Sequence, residues 1–375
     1  MTLGSRTQHA VCKPSQSRSF RDAQGGLAAL LLASGLACGL FSPAAAQPGV
    51  DQFASVNANQ AAAGPLGCDP GERVLRFSHV VVAKGHPKGE AATALAEEIN
   101  RRLNGRMCMQ VYPSSALFDD SQVFPALLKG DVEFAAPSLS KFERYTKAFR
   151  IFDLPFLFSN ERAVEWFQNT TPGHRLRRRL EGTGFRGLAF WNSGMKQFSA
   201  TRPLLSPKDA AGLTFRVQKS RVLAEMIKAL DAKAKPLPFK AVRDALSKGD
   251  VQGQENTWAN IYSKEFFRYQ DGVTESNHGL LSYLVVTSDR FWNSLSKQER
   301  ALLKQSLLKV SAQANARSLE IATRNRAALL RAGVEIRTLT PTQRSEWVQA
   351  MRPVWKRFAN DIGQDLIDAA ESSNR

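Results

Sequence analysis

One order of elements occurs twice along this chain, and it constrains the fold more than any other feature. Residues 74–80 form a short apolar, β-branched run, 87–103 repeat apolar residues at helical spacing, and 107–112 read as a second strand. A helix over 119–129 and a strand over 132–136 complete the unit. The order returns as a strand at 213–218, a helix at 220–230, a strand at 234–237, a helix at 239–248 and a strand opening at Val251. Both units carry one phrase, Lys129-Gly130-Asp131-Val132 and Lys248-Gly249-Asp250-Val251. In each, the glycine falls where a helix must stop in a left-handed cap before the next strand.

A βαβαβ unit has parallel strands joined by right-handed crossovers, so the fold class is α/β with two such lobes. Residues 187–190 look like a strand leading from the first lobe into the second, 258–270 are helical, and 279–287 form a further strand. A long amphipathic helix over 296–332 and a helical segment over 341–370 close the chain. Elements that follow both lobes can cross back between them, giving several hinge connections and a cleft.

The first 46 residues read differently. Arg6, Lys13, Arg18 and Arg21 make a basic leader, 25–41 are apolar and rich in Leu and Ala, and Ala44-Ala45-Ala46 supplies a small-residue cleavage site. We expect a signal peptide over 1–46, with export to the periplasm. The apolar run is marginal for spanning ~30 Å of hydrocarbon. A lipoprotein acylated at Cys38 is the minor alternative, because Gly35 stands where a large apolar residue is expected. Residues 47–72, rich in Ala, Gln, Asn and Gly, are expected to be a flexible lead-in. Two cysteines, Cys68 and Cys108, survive cleavage. Cys68 precedes the first strand and Cys108 lies in the second, so a disulfide is a reasonable expectation in an oxidising compartment.

The whole chain carries a formal charge of +17, and the part after residue 46 about +14. Such a field favours anionic partners. The basic residues are scattered, and the one dense run, 174–179, reads as the solvated face of a helix, so nucleic-acid binding is discounted.

Enzyme signatures are missing. There is no Walker phosphate loop, H-E-x-x-H, G-x-S-x-G or C-x-x-C, and Gly182-Thr183-Gly184-Phe185-Arg186-Gly187 follows a helix and enters a strand, the reverse of a dinucleotide site. His79, His86, His174 and His278 do not share metal-ligand spacing with one another or with a cysteine. We therefore expect no enzyme activity, no metal and no cofactor. A hydrolase or lyase on the same lobes would need a nucleophile or general base paired with a second titratable group, and Glu255 and His79 are the only candidates.

Polar groups instead gather at strand ends: Ser78-His79, Ser138 with Ser140 and Lys141, Trp191-Asn192, Arg216-Val217-Gln218 and Gln254-Glu255-Asn256. In doubly wound lobes those ends face the ligand crevice. Arg216 is the foremost candidate, since a guanidinium can present two parallel donors to a carboxylate; the alternative is a structural salt bridge. Lys196 and Lys88 add positive charge or are solvated lysines. Asn256 offers an amide donor or caps a turn. Phe239, Trp191 and Trp258 form apolar walls or core.

Several segments resemble the solute-binding proteins of TRAP transporters: Phe77-Ser78-His79-Val80 with Pro87-Lys88-Gly89, Val111-Tyr112-Pro113-Ser114-Ser115, Asp153-Leu154-Pro155-Phe156-Leu157-Phe158, Gly212-Leu213-Thr214-Phe215-Arg216-Val217-Gln218, and Gly253-Gln254-Glu255-Asn256-Thr257-Trp258. The likeness runs through nearly all of the chain beyond the leader and is strongest to the C4-dicarboxylate-binding, DctP-type branch. It implies a periplasmic binding protein fold, in which two lobes close over an organic acid and a long helix spans them. By this resemblance Arg216 clamps a ligand carboxylate, Asn256 assists, Lys196 is the basic residue before Gln, and Phe239 is a pocket aromatic. Met195, Gln252 and Ala259 depart from the usual Phe, Asp and Ser.

The expected site is thus Arg216, Asn256, Lys196, Phe239, Gln218, Trp191 and Trp258, with Ser138, Ser140, His79 and Lys88 shaping the distal end. Lobe I is expected over 73–193 plus 282–321, and lobe II over 194–281 plus 322–375. The implied role is capture of succinate, malate or fumarate by a monomer and delivery to a small and a large membrane subunit. The alternatives are a monocarboxylate, keto acid or other organic acid, or presentation of the ligand to a membrane sensor.

Overall fold

The computed structural model describes residues 67–375. The leader, with its cleavage site and Cys38, lies outside the described residues, as does most of the lead-in. The first unit runs β1 (Arg73–Ser78), α1 (Pro87–Arg102), β2 (Met107–Tyr112), α2 (Val123–Lys129) and β3 (Phe134–Ala135). Helices α3 (Glu161–Asn169) and α4 (Thr171–Arg178) lead to the long strand β4 (Phe185–Ala200). The second unit follows as β5 (Thr214–Val217), α5 (Arg221–Lys228), β6 (Lys233–Pro236), α6 (Val242–Ser247) and β7 (Gly253–Thr257). Then come α7 (Trp258–Ser263), a second long strand β8 (Gly272–Ser288), α8 (Asp289–Ser294), the 35-residue helix α9 (Lys297–Arg331) and β9 (Ile336–Thr338). Helices α10 (Pro341–Met351), α11 (Pro353–Ile362) and α12 (Gln364–Ser372) end the chain.

Among the described residues all nine strands belong to one sheet, in the order β2-β1-β3-β8-β4-β7-β5-β6 with β9 pairing β8. Within each unit the strands are parallel and the first lies in the middle, as β2-β1-β3 and β6-β5-β7. The repeated cap is present in both: Gly130 has φ 88° and Gly249 φ 71°, a left-handed conformation that an L side chain adopts only under strain. The antiparallel pair β4 and β8 joins the two halves along almost its whole length. Its register shifts between Gly187 and Ala189, Asn192 and Gly194, and Lys196 and Phe198, and such bulges bend a strand and sharpen its twist.

Each half has its own apolar core. Leu75, Phe77, Leu95, Met109 and Trp191 pack against Leu303, Leu307 and Val310 from the first part of α9. Phe198, Phe215, Val217, Met226 and Trp347 form the second. A third cluster joins Phe124, Phe142, Phe149 and Phe167 to Val354, Trp355, Phe358 and Ile367. The C-terminal helices α11 and α12 therefore lie on the first half, where the division at residue 322 assigned them to the second. Their apolar stripes find an aromatic surface there, and Trp355 Nε1 donates to the Pro155 carbonyl at 2.9 Å.

Cys68 is bonded to Cys108, whose strand pairs with β1 through Val74. Among the described residues, no helix is long and apolar enough to cross a membrane.

Candidate ligand-binding site

Arg216 sits at the carboxyl end of β5, beside Lys235 of β6 and Gln254 of β7. Its Nε and Nη2 donate to the Leu237 carbonyl at 3.1 and 2.8 Å, which fixes the guanidinium plane and leaves Nη1 without a hydrogen bond to a described residue. The side chain is 2% exposed, yet it forms no ion pair with a described carboxylate. Burial pulls its pKa down to about 10, opposed by the more distant Glu255 and Asp120. A buried cation without a bonded counter-charge is costly, and a ligand carboxylate is the natural relief.

Arg216 lines a cavity of about 30 Å³ together with Gln218, Ser138, Lys141, Phe239 and Asn256. Ser138 Oγ donates to Gln218 Oε1 at 2.5 Å, joining the loop after β3 to the loop after β5 across the cavity. Asn256 on β7 accepts from Asn260 Nδ2 at 2.5 Å and donates to Gln254 Oε1 at 3.1 Å.

The opposite wall comes from the first half and from β8. Asp119, Asp120, Val80, Val81 and Tyr283 line it. Lys88 lies behind this wall with Nζ 3.7 Å from the Tyr283 ring centroid, 3.0 Å from the Ala136 carbonyl and 4.0 Å from Asp120. Burial lowers its pKa to about 8, with Asp120 opposing. Lys141 is also lowered, first by burial and then by Arg216 and Lys219, against Asp120 and Asp119.

Five of the expected contacts therefore reach the cavity: Arg216, Asn256, Gln218, Phe239 and Ser138. The others are placed elsewhere. Lys196 is the chief correction. It lies on β4 opposite Thr257, and its Nζ is 2.6 Å from Glu255 Oε2, both side chains being buried. Side chains alternate across a strand, so with Asn256 facing the cavity, Glu255 faces away and takes Lys196 with it. His278 Nε2 is 3.6 Å from the same carboxylate. Burial alone would raise the Glu255 carboxyl, but Lys196 and His278 hold it below its ordinary value, while burial brings His278 down to about 4. Gly279 makes room for the lysine, since a Cβ there would come within 2.9 Å of Lys196 Cε.

Trp191 is core: it stacks on Phe77 at 5.6 Å and its Nε1 donates to Ser311 Oγ at 2.8 Å. Ser140 turns inward on a 3-10 helix and donates to Asp153 Oδ1 at 2.8 Å. His79 is buried edge-on to Phe77, its pKa driven well down by burial and by Lys88 and His86. Trp258 lines a different cavity of about 470 Å³, shared with Glu161, Glu275 and Arg326.

The polar cavity residues missing from the expected set include Lys141, Asp119, Asp120, Asn260 and Tyr283. The strand-end rule that found Arg216 also covers Lys141 and the Asp119-Asp120 pair. The pair was hidden because 119–129 read as one helix. Asp119 Oδ1 instead accepts from the Ser121 and Gln122 amides at 2.7 and 2.9 Å, a local turn that delays the helix to Val123.

A buried arginine on a strand end, lining a cavity between two βαβαβ halves, is the arrangement of a two-lobed solute-binding protein. The chain belongs to the bacterial extracellular solute-binding protein family 7, which it matches over residues 77–361. It is 48% identical to a C4-dicarboxylate-binding periplasmic protein DctP of Vibrio cholerae, over 82% of this chain and 93% of that protein. A TRAP periplasmic solute-binding protein of Shewanella oneidensis, solved with bound succinate, superposes with a TM-score of 0.80 at 43% identity, over 81% of this chain and all of that one. One from Pseudomonas aeruginosa, solved with bound L-malate, gives 0.74 at 40% identity, over 76% of this chain and 99% of that one.

Proposed function

We propose that this protein captures a C4-dicarboxylate, such as succinate, malate or fumarate, between its two halves and delivers it to the small and large membrane subunits of a TRAP transporter. It acts as a monomer in the periplasm, after loss of residues 1–46, and catalyses no reaction. The observation that carries this reading is Arg216, buried, held by the Leu237 carbonyl and without a bonded carboxylate, at the wall of a cavity that also holds Asn256. One ligand carboxylate accepts from Arg216 Nη1 and from the free Asn256 N–H, and the second lies toward Lys141 and Lys88. The relatives support the choice of acid, since the Shewanella and Pseudomonas proteins were solved with succinate and L-malate.

Calorimetric titration with succinate, L-malate, fumarate and matched monocarboxylates tests this. Binding of dicarboxylates with release of unaltered ligand is expected. Equal binding of butyrate would move the reading to a monocarboxylate, which Asp119 and Asp120 in the wall would favour.

A further inference from the structure

We infer that His86 is a positioning residue that sets which way the Asn256 amide faces the ligand, acting through Asn260; this rests on the reading that Asn256 donates to a bound carboxylate. His86 caps α1, and its Nδ1 accepts from the Lys88 backbone amide at 3.1 Å. A backbone amide can only donate, so Nδ1 carries no proton and Nε2 does. Burial and the charge of Lys88 hold His86 at about 3, against its bond to Asn260, so this neutral form persists across the working pH range.

The rest of the chain follows from that one tautomer. Nε2 lies 3.0 Å from Asn260 Oδ1, so Asn260 presents its oxygen to His86 and its nitrogen to Asn256 Oδ1, at 2.5 Å. Asn256 then directs Nδ2 to Gln254 Oε1 at 3.1 Å, Gln254 Nε2 reaches Ser199 Oγ at 2.7 Å, and Ser199 donates to Gln270 Oε1 at 3.0 Å. Gln270 Nε2 ends on the Tyr269 carbonyl at 2.7 Å, a group that can only accept. Every link runs donor to acceptor in one direction.

At the cleft, the Asn256 oxygen is occupied and one of its two N–H bonds is used, leaving the other N–H for the cavity. Flipped, Asn256 would offer oxygen lone pairs and repel a carboxylate. The control also crosses the molecule, because His86 precedes α1 of the first half while Asn256 and Asn260 belong to β7 and α7 of the second.

The test compares His86→Asn with His86→Ala, Asn256→Ala and the double variant His86→Asn/Asn256→Ala, using succinate in calorimetry and stopped-flow tryptophan fluorescence. Asparagine is itself a strong N-cap, so His86→Asn keeps the cap on α1 but is too short to reach Asn260. It should weaken succinate binding about three- to tenfold, the scale of one net hydrogen bond, through faster dissociation and with the ligand-free melting temperature near wild type. His86→Ala should lose the same affinity and some melting temperature. In the Asn256→Ala background, His86→Asn should have no further effect. Wild-type affinity in His86→Asn, or an equal loss with and without Asn256, would overturn the inference while Arg216→Ala still weakens binding. If wild type itself binds no dicarboxylate, the proposed function falls, and the inference with it.

Discussion

Replacing Arg216 with alanine removes the donors aimed at the cavity and leaves the fold otherwise in place. The guanidinium offers its Nη1 edge while Nε and Nη2 stay on Leu237, so a ligand carboxylate gains one or two charge-assisted hydrogen bonds from it. Each contributes about 1.5–3 kcal/mol, so a loss of roughly 1.5–6 kcal/mol is expected, a fall in affinity of about tenfold to ten-thousandfold. In a thermal-shift assay, ligand at a hundred times the wild-type dissociation constant stabilises wild type by about 2.7 kcal/mol. A variant weakened a hundredfold sits near half-saturation at that concentration and gains about 0.4 kcal/mol. Ligand-free stability should change little, because removing a buried charge offsets the Leu237 carbonyl left without a donor. Arg216→Lys keeps the charge without the planar fork and should fall between the two. A ligand-induced shift in Arg216→Ala equal to that of wild type would refute the assignment.

Three further outcomes follow from the geometry. Lys196→Met leaves Glu255 buried without its partner and should cost about 3–5 kcal/mol in urea denaturation, recovered in part by adding Glu255→Leu, with succinate affinity of the folded protein unchanged. Loss of binding without loss of stability would return Lys196 to the ligand. Lys88 is held at about 8 against 10.5 when unfolded, so the ligand-free fold sheds that proton first as pH rises. Folding stability should therefore rise between pH 8 and 10.5, while affinity for a dianion, which favours the charged lysine, should fall through pH 8, and Lys88→Met should flatten both profiles. Breaking the Cys68–Cys108 bond, which closes a separation of 40 residues, should cost about 3–4 kcal/mol, read as a lower denaturation midpoint in Cys108→Ser or under reductant.

Much of this was legible in the sequence, and the failures have physical causes. Residues 107–112 match β2 end to end, because β-branched and apolar residues meet there without a competing helical period. The long strands were under-read: 187–190 stood for Phe185–Ala200 and 279–287 for Gly272–Ser288. Asn192-Ser193-Gly194 looks like a turn, and only pairing with β8 across a bulge keeps it extended. The segment 341–370 read as one helix, but Pro353 and Gly363, at φ 102°, divide it into three. At the site, the strand-end rule points to Arg216 and Asn256, and both line the cavity. Lys196 and Trp191 lie away from that cavity, on Glu255 and on Ser311, because one sequence places a residue along a strand but does not say which side of it the side chain leaves from.

The sheet order carries a consequence for how the molecule holds together. Strand β4 follows the first unit but runs beside β7 of the second, and β8 follows the second unit but closes the edge of β3 in the first. Each half thus has its last seam sewn by a strand that the other half had to finish first. Cut after β4, the leading fragment would expose β3 as a raw edge, open to any passing strand. Neither half closes its own part of the sheet without a strand that the other half places beside it.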